Sequence, residues 1–187
     1  MAKELQALEL NGTWTLSTLP PRKKPVDCFT EVEGVDFGET FAPVAKLATV
    51  RCFLAVAVMK KWEIHQMDVH NAFLHGDLHE EVYMSLPPGL SSNRPGQVCR
   101  LRKSLYGLRQ ASRNWFSKLV DALYAYGFKQ SRADNSLFTY SRGTIFIAVL
   151  IYVDDLLVAG NSSLHCTTFK RHLVKIIGTQ LFLCSFI

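Results

Sequence analysis

The sequence predicts an α+β fold in which a mainly antiparallel sheet packs on helices. Two observations carry that expectation. Between Ser136 and Ala159, runs rich in Ile, Val and Leu are separated only by short turns, as antiparallel strands are. Helical segments fall between groups of strands, which favours an α+β arrangement. At 187 residues, with 48% hydrophobic and 20% charged residues, the chain suits one globular domain with a substantial core.

The elements follow in order. Met1 to Thr18 reads as a short helix ending near Asn11–Gly12, then a strand around Trp14 to Leu16. Prolines make Leu19 to Pro25 a loop, and Gly34 to Val44 is irregular. Leu47 to Lys61 carries Leu47, Val50, Leu54, Ala57 and Val58 on or near helical spacing. Lys61 to Val69 is a strand, NAFLHGDL turns the chain, and EEVYMSL is a short strand ending at Pro87–Pro88–Gly89. Arg109 to Tyr126 is the clearest helix, with Ala111, Trp115, Leu119 and Leu123 at i+4 and Gly127 at the C′ position. Ser136 to Tyr140 and Thr144 to Val153 are strands joined by the glycine-containing turn SRG. Leu156 to Ala159 is another strand, and Asn161–Ser162–Ser163 offers N-caps for a last helix through Phe169 and Leu173.

The formal net charge is +5 and the pI is near 9.0. Val82 to Val120 holds no acid and seven bases: Arg94, Arg100, Arg102, Lys103, Arg109, Arg113 and Lys118. Just upstream stand Glu63, Asp68, Asp77, Glu80 and Glu81. Such blocks are either ordinary surface charge or the footprint of a phosphate-bearing partner. Five cysteines, an odd number without a CxxC pair, and no signal-like start predict a reduced intracellular setting, cytoplasmic or nuclear. The apolar run Ile145 to Val153 is too short to span a bilayer, so no membrane partner is expected. His70, His75 and His79 straddle a turn with no cysteine near, which does not make a zinc site.

Asp154 and Asp155 interrupt an apolar stretch, Ile145 to Ala159. Taken alone, the pair reads as a hairpin tip. Asp68 ends another short strand, and if the strand ends lie side by side three carboxylates converge. Carboxylates so placed repel unless a cation sits among them, and Mg²⁺ prefers such oxygen ligands.

These residues sit in recognisable company. YVDD (Tyr152 to Asp155) resembles the polymerase signature of reverse transcriptases. WEIHQMDVHNAFLHGDLHEEVYMSLPPG (Trp62 to Gly89) and VCRLRKSLYGLRQASRNWF (Val98 to Phe116) are similar to reverse transcriptases of the Ty1/copia retrotransposon class, as are ETFAPVAKLATVR and ADNSLF. The likeness covers Phe29 to about Lys175, and weakly Glu4 to Val26. It implies a reverse-transcriptase palm with partial fingers, an RNA-directed DNA polymerase using two Mg²⁺ (or Mn²⁺) ions, and an RNA or DNA template-primer and dNTP as partners. Asp68, Asp154 and Asp155 stand at its catalytic, metal-binding positions, with the Val69 carbonyl as a further ligand and Asp154 weightier than Asp155. Phe73 stands at the steric gate against a ribose 2′-OH, though core packing alone would also explain it. Tyr106 and Gly107 fall in the nucleotide-facing loop. Tyr152, Arg109, Gln110, Arg102 and Lys103 would contact nucleic acid, whereas Arg113 and Lys118 suit a solvated helix face.

Two departures from the family pattern set further expectations. At Cys28–Phe29 the chain lacks the basic fingers hairpin that relatives carry, and after Lys175 it reads IIGTQLFLCSFI instead of a primer-gripping segment. The division expected is residual fingers over 1–28, palm and fingers over 29–175, and an aberrant tail over 176–187, with weak or no activity. The alternatives are a non-catalytic nucleic-acid-binding remnant and a pseudogene product.

Overall fold

A computed structural model describes residues 8, 12–26, 42, 44–87 and 96–177, and the backbone of 181–186. The chain divides into two compact units, neither continuous in sequence: Met1–Phe41 with Phe73–Lys118, and Ala42–Ala72 with Leu119–Ile187. The Cys28–Phe29 junction and the first predicted helix, Leu8 apart, lie outside the described residues.

The first unit holds a three-stranded sheet of β1 (Trp14–Thr18), β3 (Tyr83–Met84) and β4 (Gln97–Leu101) in the order β1-β4-β3, antiparallel throughout. Trp14, Val82, Cys99, Leu101, Leu108 and Ala111 form its core, with Phe73, Leu78 and Leu105 packed against them. A 3₁₀ turn, Ala72–His75, leads to Gly76. A Cβ on Gly76 would come within 2.8 Å of the Trp115 backbone nitrogen, so only glycine lets that segment lie so close to the helix.

The second unit is a six-stranded sheet in the order β5-β6-β7-β8-β2-β9. Its strands are β2 (Glu63–Val69), β5 (Lys129–Gln130), β6 (Leu137–Arg142), β7 (Ile145–Tyr152), β8 (Asp155–Gly160) and β9 (Leu181–Phe186). Every ladder is antiparallel, and the short predicted turns account for two of them, β6–β7 and β7–β8. Helix α1 (Leu47–Met59) covers one face: Phe53 and Ala57 pack on Ile64, Ala148, Leu150 and Ala159. The alternate residues Met67, Val149, Ile151, Leu156 and Val158 are fully buried on the other face, where α3 (Ser163–Ile177) packs on β7 and β8. Cys166 of α3 approaches Gly160 there, leaving no room for a side chain. Helix α2 (Ala111–Tyr126) runs through both units.

Helix α1 has no side-chain cap of its own. Asp134 supplies one from a distance, accepting the Lys46 N–H at 3.0 Å and the Ser136 hydroxyl and N–H. Burial opposes the charge on Asp134, but hydrogen bonds from Ser136, Thr49 and Lys46 hold its carboxyl well below the usual range.

Three expectations shift. EEVYMSL pairs only at Tyr83–Met84. Gln97–Leu101 is a strand beyond those expected from the sequence. The segment read as a tail completes α3 at Ile176–Ile177 and then pairs as β9 with the outer edge of β2.

Candidate active site

The carboxylates are placed by the β7–β8 hairpin. The expected turn was Asp154–Asp155; the observed one is Val153–Asp154, and Asp155 opens β8 opposite Tyr152. The hairpin achieves this register by holding Val153 at φ +58°, a left-handed conformation that a β-branched residue adopts only under strain. The reward is alignment with β2. The Val69 N–H donates to the Asp154 carbonyl at 3.1 Å, and Asp68 is the Cα partner of Asp155. Asp154 precedes Asp155 in the turn, next to Val69, which is itself buried.

Tyr152, Asp155 and Asp68 therefore form one row across β7, β8 and β2. Directly paired residues share a face of the sheet. It is the face that α1 covers further along, at Ala148 and Leu150. The cover stops abruptly: Leu150 is 2% exposed and Tyr152 is 51% exposed. Asp68 is exposed, and Asp154 and Asp155 are partly so.

The convergence expected of the three carboxylates is only partial. Backbone register brings Asp68 and Asp155 opposite, but among the described residues no group of three His, Cys, Asp or Glu side chains is close enough together to hold a metal ion. A physical reason is at hand. Like charges directly across a ladder repel, and Asp155 Oδ1 is engaged by Gln66 Nε2 at 3.0 Å. The donor set still suits a hard divalent cation: carboxylate oxygens, reachable from solvent, in a like-charge pair that a cation would relieve.

The remaining predicted residues lie in the other unit. Phe73 and Tyr106 are in contact, with ring centroids 4.6 Å apart. Phe73 also packs against the core of its unit, as the packing reading expects. Gly107 has φ +100°, so its loop conformation favours glycine. Arg102 and Arg109 are exposed. Gln110 is not on the surface: it is fully buried at the start of α2, and neither polar atom of its amide has a hydrogen-bond partner.

Lys103 is engaged within the protein. Its Nζ lies 2.5 Å from Asp77 Oδ1, and Lys118 Nζ lies 2.6 Å from Asp77 Oδ2. Hydrogen bonds from the two lysines push the Asp77 carboxyl down to about 2. Arg100 takes Glu81 at 2.9 Å. Part of the basic block thus answers the acidic block beside it, and Lys118, read as a solvated residue, is one of the partners.

Sequence reasoning missed Gln66. Its signal was the period of two that puts it on the same face as Asp68 in β2.

Comparison with known proteins places these features. The family described as reverse transcriptase (RNA-dependent DNA polymerase) matches residues 13–182. The chain is 49% identical over 153 residues to the retrovirus-related Pol polyprotein from transposon RE2 of Arabidopsis thaliana, covering 81% of this chain and 10% of that protein. It is 35% identical over 203 residues to that from transposon TNT 1-94 of Nicotiana tabacum, covering 94% of this chain and 15% of the relative. Against the Ty1-ER2 Gag-Pol polyprotein of Saccharomyces cerevisiae, identity is 31% over 151 residues, with 75% and 8% covered. The chain thus spans about a tenth of the length of these relatives. The tobacco match runs over more positions, 203, than the 187 residues of this chain, so the relative carries positions without a counterpart here.

Proposed function

The chain belongs to the reverse transcriptase family, of the copia type, and from that premise we propose that its six-stranded unit carries the nucleotidyl-transfer centre of an RNA-directed DNA polymerase. The observation that carries this reading is the register that sets Asp68 opposite Asp155 with Asp154 in the adjoining turn. Asp68 and Asp154 would be the main ligands for Mg²⁺ or Mn²⁺, with the Val69 carbonyl beside them and Asp155 in a lesser role because one of its oxygens is already bonded. Two bound divalent ions would activate a primer 3′-hydroxyl and neutralise charge on the departing pyrophosphate.

The protein's own groups do the rest. The Phe73 ring, packed against Tyr106, excludes a ribose 2′-hydroxyl and so favours deoxynucleotides. Gly107 lets the backbone approach the nucleotide closely. Exposed Tyr152, Arg102 and Arg109 contact the template-primer. Lys103 contributes less, being committed to Asp77. Gln110 reaches a substrate only if its segment opens, since its amide is buried.

For this copy we propose little or no processive synthesis. The basic fingers hairpin has no counterpart in the sequence, and its cations would grip the triphosphate leaving group; losing such stabilisation costs orders of magnitude in rate. Primer extension on poly(rA)/oligo(dT) with Mg²⁺ tests both halves of the reading. Traces of incorporation, abolished by Asp154→Asn, are expected. Robust incorporation abolished by Asp154→Asn would overturn the weak-copy reading, and incorporation indifferent to Asp154→Asn would overturn the assigned centre. The second reading, binding without catalysis, rests on exposed cations such as Arg102. It predicts salt-dependent nucleic-acid binding that ignores both Mg²⁺ and Asp68→Asn.

A further inference from the structure

Gln66 lies two residues before Asp68 in β2, on the same face of the sheet. Its Cα partner in β8 is Leu157, which makes Asp155 its diagonal neighbour on the turn side. Diagonal positions are within reach of a long side chain. The contact is made: Gln66 Nε2 donates to Asp155 Oδ1 at 3.0 Å, in a part-buried setting. The neighbours of Gln66 along this face, Ile64, Leu157 and Leu150, are apolar and belong to the core under α1. Packing alone would be served by an aliphatic residue at that position. The amide is explained by what it holds. Without it, Asp155 would face Asp68 with both oxygens free, and repulsion would turn the carboxylate away.

We propose that Gln66 is a positioning residue for Asp155, binding Oδ1 so that the other oxygen is presented beside Asp68 and Asp154. The proposal rests on the divalent-cation reading above and narrows it. Asp68 and Asp154 act as direct ligands, and Asp155 contributes one oxygen in an orientation set by β2 itself. Partners that orient a ligand from outside the coordination shell typically alter metal affinity by about 10- to 100-fold.

The test is Mn²⁺ binding to the full 187-residue chain, followed by loss of the free-ion EPR signal without nucleotide or nucleic acid. Wild type should titrate, and Asp154→Asn should not. Gln66→Leu should weaken binding by about tenfold or more. Gln66→Glu, of the same length but without the donor, should weaken it too, although it adds a negative charge; should Gln66→Leu fail to fold, this variant decides. In an Asp155→Asn background, Gln66→Leu should change affinity by less than about twofold, because Gln66 acts only through Asp155. Unchanged affinity in Gln66→Leu, tighter binding in Gln66→Glu, or an undiminished Gln66 effect in the Asp155→Asn background would each overturn the positioning role while leaving the cation reading intact. Absence of Mn²⁺ binding in wild type would overturn both.

Discussion

In the three-stranded unit, Asp77 sits between Lys103 and Lys118, and Glu81 holds Arg100. In the six-stranded unit, Asp68 faces Asp155, and among the described residues no lysine or arginine side chain pairs with Asp68, Asp154 or Asp155. The chain neutralises Asp77 and Glu81 with its own cations in one unit and sets Asp68 and Asp155 opposite each other in the other. Charge number does not explain the contrast, since the whole chain carries an excess of cations, +5. What differs is where backbone register places the acids. Like charges across a ladder cost stability, a cost that the cation proposed above would relieve.

The largest expected effect comes from breaking that contrast at Asp68. Asp68→Asn should weaken Mn²⁺ binding by at least about tenfold, since a direct ligand is lost. In EDTA the same variant should gain up to about 1 kcal/mol in urea unfolding, because the like-charge pair with Asp155 is gone. Opposite signs with and without metal are the signature. A metal-free loss of stability would show that Asp68 is held by something other than a cation, and the contrast between the units would collapse.

Next in size is Asp77, the matched counterpart. Asp77→Asn should cost about 1 kcal/mol at pH 7, a modest figure because the pair is partly exposed. The sign with pH follows from its depressed carboxyl, at about 2 in the fold. The stabilisation is present above the unfolded value and is lost as pH falls through about 4 towards 2. Wild type and Asp77→Asn should therefore converge in that window. His65 adds its own loss at higher pH: burial, then Lys170, lowers its value, so the fold resists its protonation below about 6.5. That loss is common to both proteins and cancels in the difference. Stability curves that stay parallel down to pH 2 would mean that Asp77 is no better matched than Asp68.

How much of this was legible in the sequence depends on range. Helix α2, the β6–β7 hairpin and α3 were readable because each is encoded by local periodicity and a nearby turn or cap. Strand β4 was not: Arg100 and Arg102 break the apolar pattern there, while the burial of Val98, Cys99 and Leu101 depends on β1 and β3, outside its own stretch of sequence. The metal-site candidates could be named because each sits in a short contiguous motif, Asp68 in EIHQMDV and Asp154–Asp155 in YVDD. That Lys103 and Lys118 share Asp77 could not, since the three residues meet only through tertiary folding. The hairpin turn was misplaced by one residue for a local reason. Asp–Asp is a better turn pair than Val–Asp, and only pairing with β2 makes the worse one prevail.

That displaced turn gives the smallest effect, and it separates backbone strain from charge in the unmatched unit. Val153 at φ +58° stores strain of about 1–3 kcal/mol, and asparagine tolerates the same conformation. Val153→Asn should therefore raise stability, by a net amount of about 0.5–1 kcal/mol once lost Val packing is counted. Mn²⁺ affinity should stay within about twofold, because the register of Asp68 against Asp155 is set by the β2–β8 ladder rather than by the side chain at 153. Metal-free unfolding of Val153→Asn and of the Val153→Asn/Asp68→Asn double variant completes the test. If strain and charge repulsion are independent costs of one site, the two gains should add. If Val153→Asn instead lowers Mn²⁺ affinity as far as Asp68→Asn does, the strained turn is what aims Asp154. The contrast between the units would then be one of backbone geometry before it is one of charge.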